Sequence, residues 1–137
     1  MPGETNLARL LQSMTPHLNP GQFVFCCVAP EFDCSALQPL ASMREDEGLS
    51  LVLPREQADA LGLQYDFVAA WITLQVHSSL AAVGLTASFS AALAQAGISC
   101  NVIAGVHHDH LFVPIERAEK ALSTLRALAA ACIPEPL

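Results

Sequence analysis

From Val68 to His77 (VAAWITLQVH) apolar and polar positions alternate: Ile72, Leu74 and Val76 face one way, Trp71, Thr73, Gln75 and His77 the other. A period of two predicts a strand with one buried face. The period then changes. Leu85, Phe89, Ala92, Leu93 and Ala96 recur every three or four residues, which predicts a helix over 85–96 ended by Gly97. The continuous apolar run Phe23–Val28 (FVFCCV) predicts a buried strand, and Gly48–Leu53 a second. Ile98–Ala104 and His110–Val113 predict two more, joined by a tight connection at Gly105. A first helix, capped by Thr5, carries Leu7, Leu10, Leu11 and Met14 on one face and ends at Pro16, Pro20 and Gly21. A last helix runs from Pro114 to about Ala131 with a stripe of Leu122, Leu125, Ala129 and Cys132; Glu116 and Lys120 are spaced to pair on its outer face. Pro30–Glu47 shows no clear period, and Pro39 limits any helix there to a short piece.

From Trp71 onward the order is strand, helix, strand, strand, helix: the split β-α-β pattern of ferredoxin-like folds, lacking its last strand. The earlier half follows the same plan with its first helix and second strand shortened or lost. One stretch supports a duplication. LVLPREQADA (Leu51–Ala60) returns as LFVPIERAEK (Leu111–Lys120), with Leu, Pro, Glu and Ala in step. Each copy is an apolar strand stopped by a proline that presets φ for the helix behind it. The chain therefore reads as α+β, a tandem βαββαβ duplication with a shortened first unit. The expected division is residues 1–65, including the N-terminal helix, and 66–137. Strand 68–77 is placed to close the first unit and open the second.

Composition narrows the function classes. Hydrophobic residues make up 53% and charged residues 14%, enough for a core with apolar surface left for a partner. The net charge of −7 and six scattered basic residues exclude a nucleic-acid backbone as partner. No apolar run is long enough to cross a membrane, and no secretory leader opens the chain. Five cysteines, an odd number without Cys-x-x-Cys spacing, point to a reduced, cytoplasmic protein.

The stretch VHSSLAAVGLTASFSAALAQAGISCNVIAGVHHDHLFVP resembles an ACT domain, and ETNLARLLQSM, LNPGQFVFC and EGLSLVLPREQADALGL resemble the first half of small stand-alone proteins with two tandem ACT-like units. The resemblance covers nearly the whole chain. It implies a ferredoxin-like fold, regulatory binding of an amino acid or similar metabolite, pairing of units into a homodimer, and neither catalysis nor a cofactor. It also places the ligand at Ser78, Ser79, Val83, Gly84, Leu85 and Thr86, with Asn101 and Asp109 on the neighbouring strands. Physical chemistry is compatible with that. Free N–H groups and the positive dipole at a helix start attract a carboxylate, Thr86 and Ser88 offer hydroxyls, and Asp109 can take an ammonium. Simple capping by Ser78 or Ser79 explains the residues alone equally well. A homodimer is also expected from the missing last strand, which would leave a sheet edge open.

Other chemistry is weaker. In VHHDHLF, His108 and His110 share one strand face and His107 and Asp109 the other, with Cys100 nearby, but the spacing matches no usual zinc pattern. Histidines lining a pocket or contact are the simpler reading, and no metal is expected. A Cys100–His nucleophile lacks an orienting third group other than Asp109, so Cys100 is expected to be a buried, inert thiol. Trp71 and His77 on one strand face suit an interface.

Overall fold

Pro54 and Pro114 close their strands with nearly the same backbone, φ −54° and ψ 134° against φ −53° and ψ 136°. The ten residues around each also share one burial sequence: three buried, two half-buried, one exposed, one half-buried, one buried, two exposed. The duplication read from four shared residue types is thus a duplication of environments.

The computed structural model describes residues 6–76 and 79–132. Its elements are α1 (Leu7–Ser13), β1 (Thr15–Val28), β2 (Ala41–Glu45), β3 (Gly48–Pro54), α2 (Arg55–Ala60), β4 (Val68–Gln75), α3 (Leu85–Gln95), β5 (Asn101–Ala104), β6 (Asp109–Pro114) and α4 (Ala118–Ala131), the last preceded by a 3-10 turn, Ile115–Arg117. The chain divides into a continuous unit, Pro20–Ala70, and a discontinuous one made of the residues up to Asn19 and from Trp71 onward. Residues up to Asn19, expected to belong with the first half, lie in the discontinuous unit because α1 packs on α3 and α4.

In the continuous unit the strand order is β2-β3-β1. Both ladders are antiparallel, with Phe23 opposite Pro54 and Ala41 opposite Val52. Val24, Cys26, Leu51 and Leu53 project from one face and meet Ala58 of α2 and Leu37. The first helix of the plan, expected to be shortened or lost, is absent here. Two turns replace it, closed by Phe32 N–H to Ala29 O (2.9 Å) and Leu37 N–H to Cys34 O (2.9 Å), and they supply Phe32, Cys34 and Leu37 to the core. The second strand, by contrast, survives as β2. It escaped the sequence pattern because four of its five residues are exposed, so nothing alternates.

In the discontinuous unit the order is β1-β4-β6-β5. Ile72, Leu74, Leu111 and Val113 are fully buried, as are Leu10 of α1, Phe89 and Leu93 of α3, and Leu125 of α4. The last strand expected to be missing from this unit is supplied by β1, which lies beside β4, and β5 is the edge strand. β1 is also longer than expected. Pro16 and Pro20 were read as ending a helix, yet both lie within the strand. They are tolerated because the ladder to β3 starts only at Phe23, which leaves the missing N–H groups without a partner to disappoint on that side.

Smaller differences have local causes. Asn6 caps α1 by accepting from Arg9 N–H at 3.1 Å, and the expected cap, Thr5, lies outside the described residues. β5 starts at Asn101 rather than Ile98. Among the described residues Glu116 and Lys120 form no ion pair within 4.0 Å; the 3-10 turn at Ile115–Arg117 breaks the helical spacing the pair requires.

Candidate functional site

The chain leaves β4 at Gln75 and reaches α3 through a loop that Ser79 organises. Its hydroxyl accepts from Ala81 N–H (3.1 Å) and its carbonyl from Ala82 N–H (3.0 Å). Gly84 then caps α3 in the left-handed region, φ 98°, with no side chain bonded to the first helical N–H groups. Across from this end the β5–β6 turn closes with Gly105 N–H to His108 O at 2.9 Å, and Ala104 stands opposite Asp109. These segments enclose a cleft of about 80 Å³ lined by Ser79, Leu80, Ala82, Leu85, Thr86 and Asp109, with Ala104.

Asp109 is the chemical centre of that cleft. It is 8% exposed, and its carboxylate has no hydrogen-bond donor among the described residues. Burial pushes its carboxyl above the ordinary range, while His110 draws it partly back. A buried carboxylate beside uncapped helix N–H groups pairs an acceptor of cations with an acceptor of anions.

Of the residues expected at the site, Ser79, Leu85, Thr86 and Asp109 come together in this cleft. Val83 and Asn101 do not line it. Val83 is 84% exposed, and Asn101 lies at the far end of β5, opposite Phe112. Ser78 and His77 lie outside the described residues. Gly84 has a structural reason of its own: a Cβ there would sit 3.0 Å from Leu7 Cδ2 of α1, so a larger residue disturbs α1 whether or not a ligand binds. Leu80, which lines the cleft, was missed by the sequence reading; it is 69% exposed, and Val83 and Val106 are also exposed apolar residues, at 84% and 71%.

The histidines do not converge on the cleft. His110 belongs to the opposite sheet face, where its Nδ1 accepts from Trp71 Nε1–H at 3.0 Å and lies 3.2 Å from Thr73 Oγ1. Asn19 extends the chain of contacts, donating to Thr73 Oγ1 (2.9 Å) and Trp71 O (3.2 Å). A donor on Nδ1 fixes the neutral ring with its proton on Nε2. Burial, and then His108, hold His110 below its ordinary pKa, with Asp109 opposing. Trp71, expected at an interface, stacks on Phe112 (6.4 Å, 16°) within its own sheet. Burial pushes the Cys100 thiol up to about 11, which keeps it protonated and a poor nucleophile at neutral pH. Among the described residues no three His, Cys, Asp or Glu side chains are arranged to hold a metal ion, and no helix is long and apolar enough to cross a membrane.

Sequence models of the ACT domain match residues 2–70 and 67–127. A protein of unknown function from Vibrio cholerae, described as a possible transport protein, is 50% identical over 90% of this chain and 95% of its own, with a TM-score of 0.83. A protein from Agrobacterium tumefaciens is 19% identical over 85% of this chain and 89% of its own, TM-score 0.66. The regulatory subunit of aspartate kinase from Thermus flavus shares the fold at 11% identity, over 83% of this chain and 96% of its own, TM-score 0.61. No curated protein matches the chain.

Proposed function

The chain belongs to the ACT-domain family, and we propose that it is a regulatory protein that binds an α-amino acid between the start of α3 and Asp109. Asp109 is the observation that carries this reading. Asp109 is 8% exposed as a residue and burial raises its carboxyl pKa, so its charge costs stability that an ammonium group from a ligand offsets. The ligand's carboxylate takes the free N–H groups of Leu85 and Thr86, with the hydroxyls of Ser79 and Thr86 at the rim. Gly84 supports this geometry by its turn. A cleft of about 80 Å³ accommodates these two charged groups but not a side chain. The side chain then lies against Leu80, Val83 and Val106, which favours an aliphatic one. The aspartate kinase subunit with the same fold is itself regulatory, which agrees with this reading.

Two further assignments accompany it. The protein forms a homodimer, the commonest closed assembly, for which β5 offers an unpaired strand edge; light scattering after size exclusion should give twice the chain mass, and a monomer at micromolar concentration refutes it. It works in the reducing cytoplasm, in keeping with its free cysteines. The competing reading is an interaction module in which the exposed apolar rim meets another protein and the cleft stays empty. Isothermal calorimetry with leucine, isoleucine and valine separates the two. Saturable heat with wild type and a severalfold weaker signal with Thr86→Ala support ligand binding. No heat at millimolar amino acid defeats it.

A further inference from the structure

The continuous unit holds a cleft that is not the counterpart of the Asp109 site. It has a volume of about 430 Å³ and lies between β1 and α2, walled by Pro20, Gly21, Phe23 and Pro54, with Arg55 and Asp59 beside them. That volume suits a small molecule.

Arg55 is held in this cleft by an unusual number of partners for a residue whose side chain is 43% exposed. Its Nε–H donates to Tyr65 Oη at 2.8 Å and its Nη1 to Gln22 Oε1 at 2.8 Å. Tyr65 in turn donates to Asp59 Oδ1 at 2.7 Å, and its ring centroid lies 5.6 Å from Arg55 Cζ. Three side chains from three segments thus fix the plane of one guanidinium. Its Nη2 has no partner among the described residues, so the N–H bonds of that nitrogen remain available on a guanidinium whose plane is fixed. The duplication sharpens the point. At the matching place after Pro114 stands Ile115, equally half-buried, so the environment does not require a cation there.

We propose that the Arg55 cleft is a second ligand site, taking a small monocarboxylate with an apolar body. The carboxylate meets the free edge of Arg55, and the apolar body lies on Phe23 and the prolines. A single charge is specified by the surroundings. Asp59 is committed to Tyr65 and Arg55, and exposed Glu56 at the rim opposes additional negative charge. The proposal is independent of the Asp109 reading, because its ligand needs no ammonium.

The test is titration of the ¹⁵N-labelled full chain with benzoate and with isovalerate, which lack an amino group, followed by arginine Nε–Hε resonances. Arg55 and the Gln22 amide should shift to saturation while Arg9, Arg44, Arg117 and Arg126 stay still. Arg55→Lys should weaken binding about tenfold or more, since a point charge replaces the fork. Glu56→Gln, at an exposed position, should tighten it about twofold. Asp109→Asn should leave the Kd for benzoate at the Arg55 cleft unaltered, whatever it does to amino-acid binding. Equal or non-saturating shifts in all arginines overturn the proposal, as does an unchanged Kd in Arg55→Lys. If Arg55→Lys fails to fold, Glu56→Gln decides, and an unchanged or weaker Kd counts against the site. Loss of the shifts in Asp109→Asn shows that the binding does not belong to the Arg55 cleft and defeats this proposal.

Discussion

Replacing Trp71 by Phe removes its hydrogen bond to His110 together with part of the ring. A phenyl ring can still stack on Phe112, which lies 6.4 Å from the Trp71 ring at 16°, while the Nε1–H bond to His110 Nδ1, 3.0 Å long, disappears. A partly buried bond of this kind contributes about 1 kcal/mol net, so the melting temperature at pH 8 should fall by roughly 3–4 °C in a chain of this size. The pH dependence identifies the cause. His110 faces Trp71 and Thr73, with His108 and Asp109 acting through space, and its folded pKa lies below the ordinary 6.5 chiefly because it is buried. On acidification the unfolded chain therefore takes up the proton first. The stability contributed by the neutral ring is complete above 6.5 and is lost as pH falls through the depressed folded value. Protonated His110 cannot accept from Trp71, so the gap between wild type and Trp71→Phe should narrow over that window. Melts followed by circular dichroism in half-unit pH steps measure this. A gap that is absent at pH 8, or constant as wild-type His110 titrates, refutes the reasoning.

Two further predictions concern stability and reactivity. Gly48→Ala should cost roughly 2–3 kcal/mol by urea unfolding, because φ is 151° and the new Cβ would lie 2.5 Å from the Val28 carbonyl oxygen; a loss below 0.5 kcal/mol would contradict that geometry. In native protein at pH 7.5, exposed Cys27 should be alkylated well before Cys100, whose thiol is held at about 11 by burial; prior labelling of Cys100, read by peptide mass, would reverse the assignment of an inert thiol.

What the sequence disclosed, and what it hid, follows the range of each interaction. The proline junctions were legible because strand end, φ and helix start are all local, and the two copies agree to within a few degrees. The face of α3 was legible because Leu85, Phe89 and Leu93 repeat with the helix. β2 was not, since exposed residues on a sheet edge carry no alternation. Pro16 and Pro20 argued against a strand whose tolerance for them depends on where the β3 ladder begins. Of the residues proposed from chemistry and resemblance, Thr86 and Asp109 lie together in the cleft, while Asn101 sits at the other end of β5, opposite Phe112. The polar contacts of Trp71 with His110 span 39 residues, and those of Arg55 with Gln22 span 33; no local pattern announces either.

The melting temperature of wild type and of Asp109→Asn, each with and without leucine, isoleucine or valine at pH 7, tests the central claim most directly. Asp109 has a raised folded pKa, so the stability linked to its protonated form is present at acid pH and lost as pH rises through that value. Asparagine avoids the buried charge, and the ligand-free variant should melt above ligand-free wild type. Ligand at a hundredfold excess over Kd should stabilise wild type by about 2.7 kcal/mol, a rise of several degrees, and should leave the variant nearly unmoved. A wild type indifferent to all three amino acids, or a variant that responds as wild type does, would contradict the account.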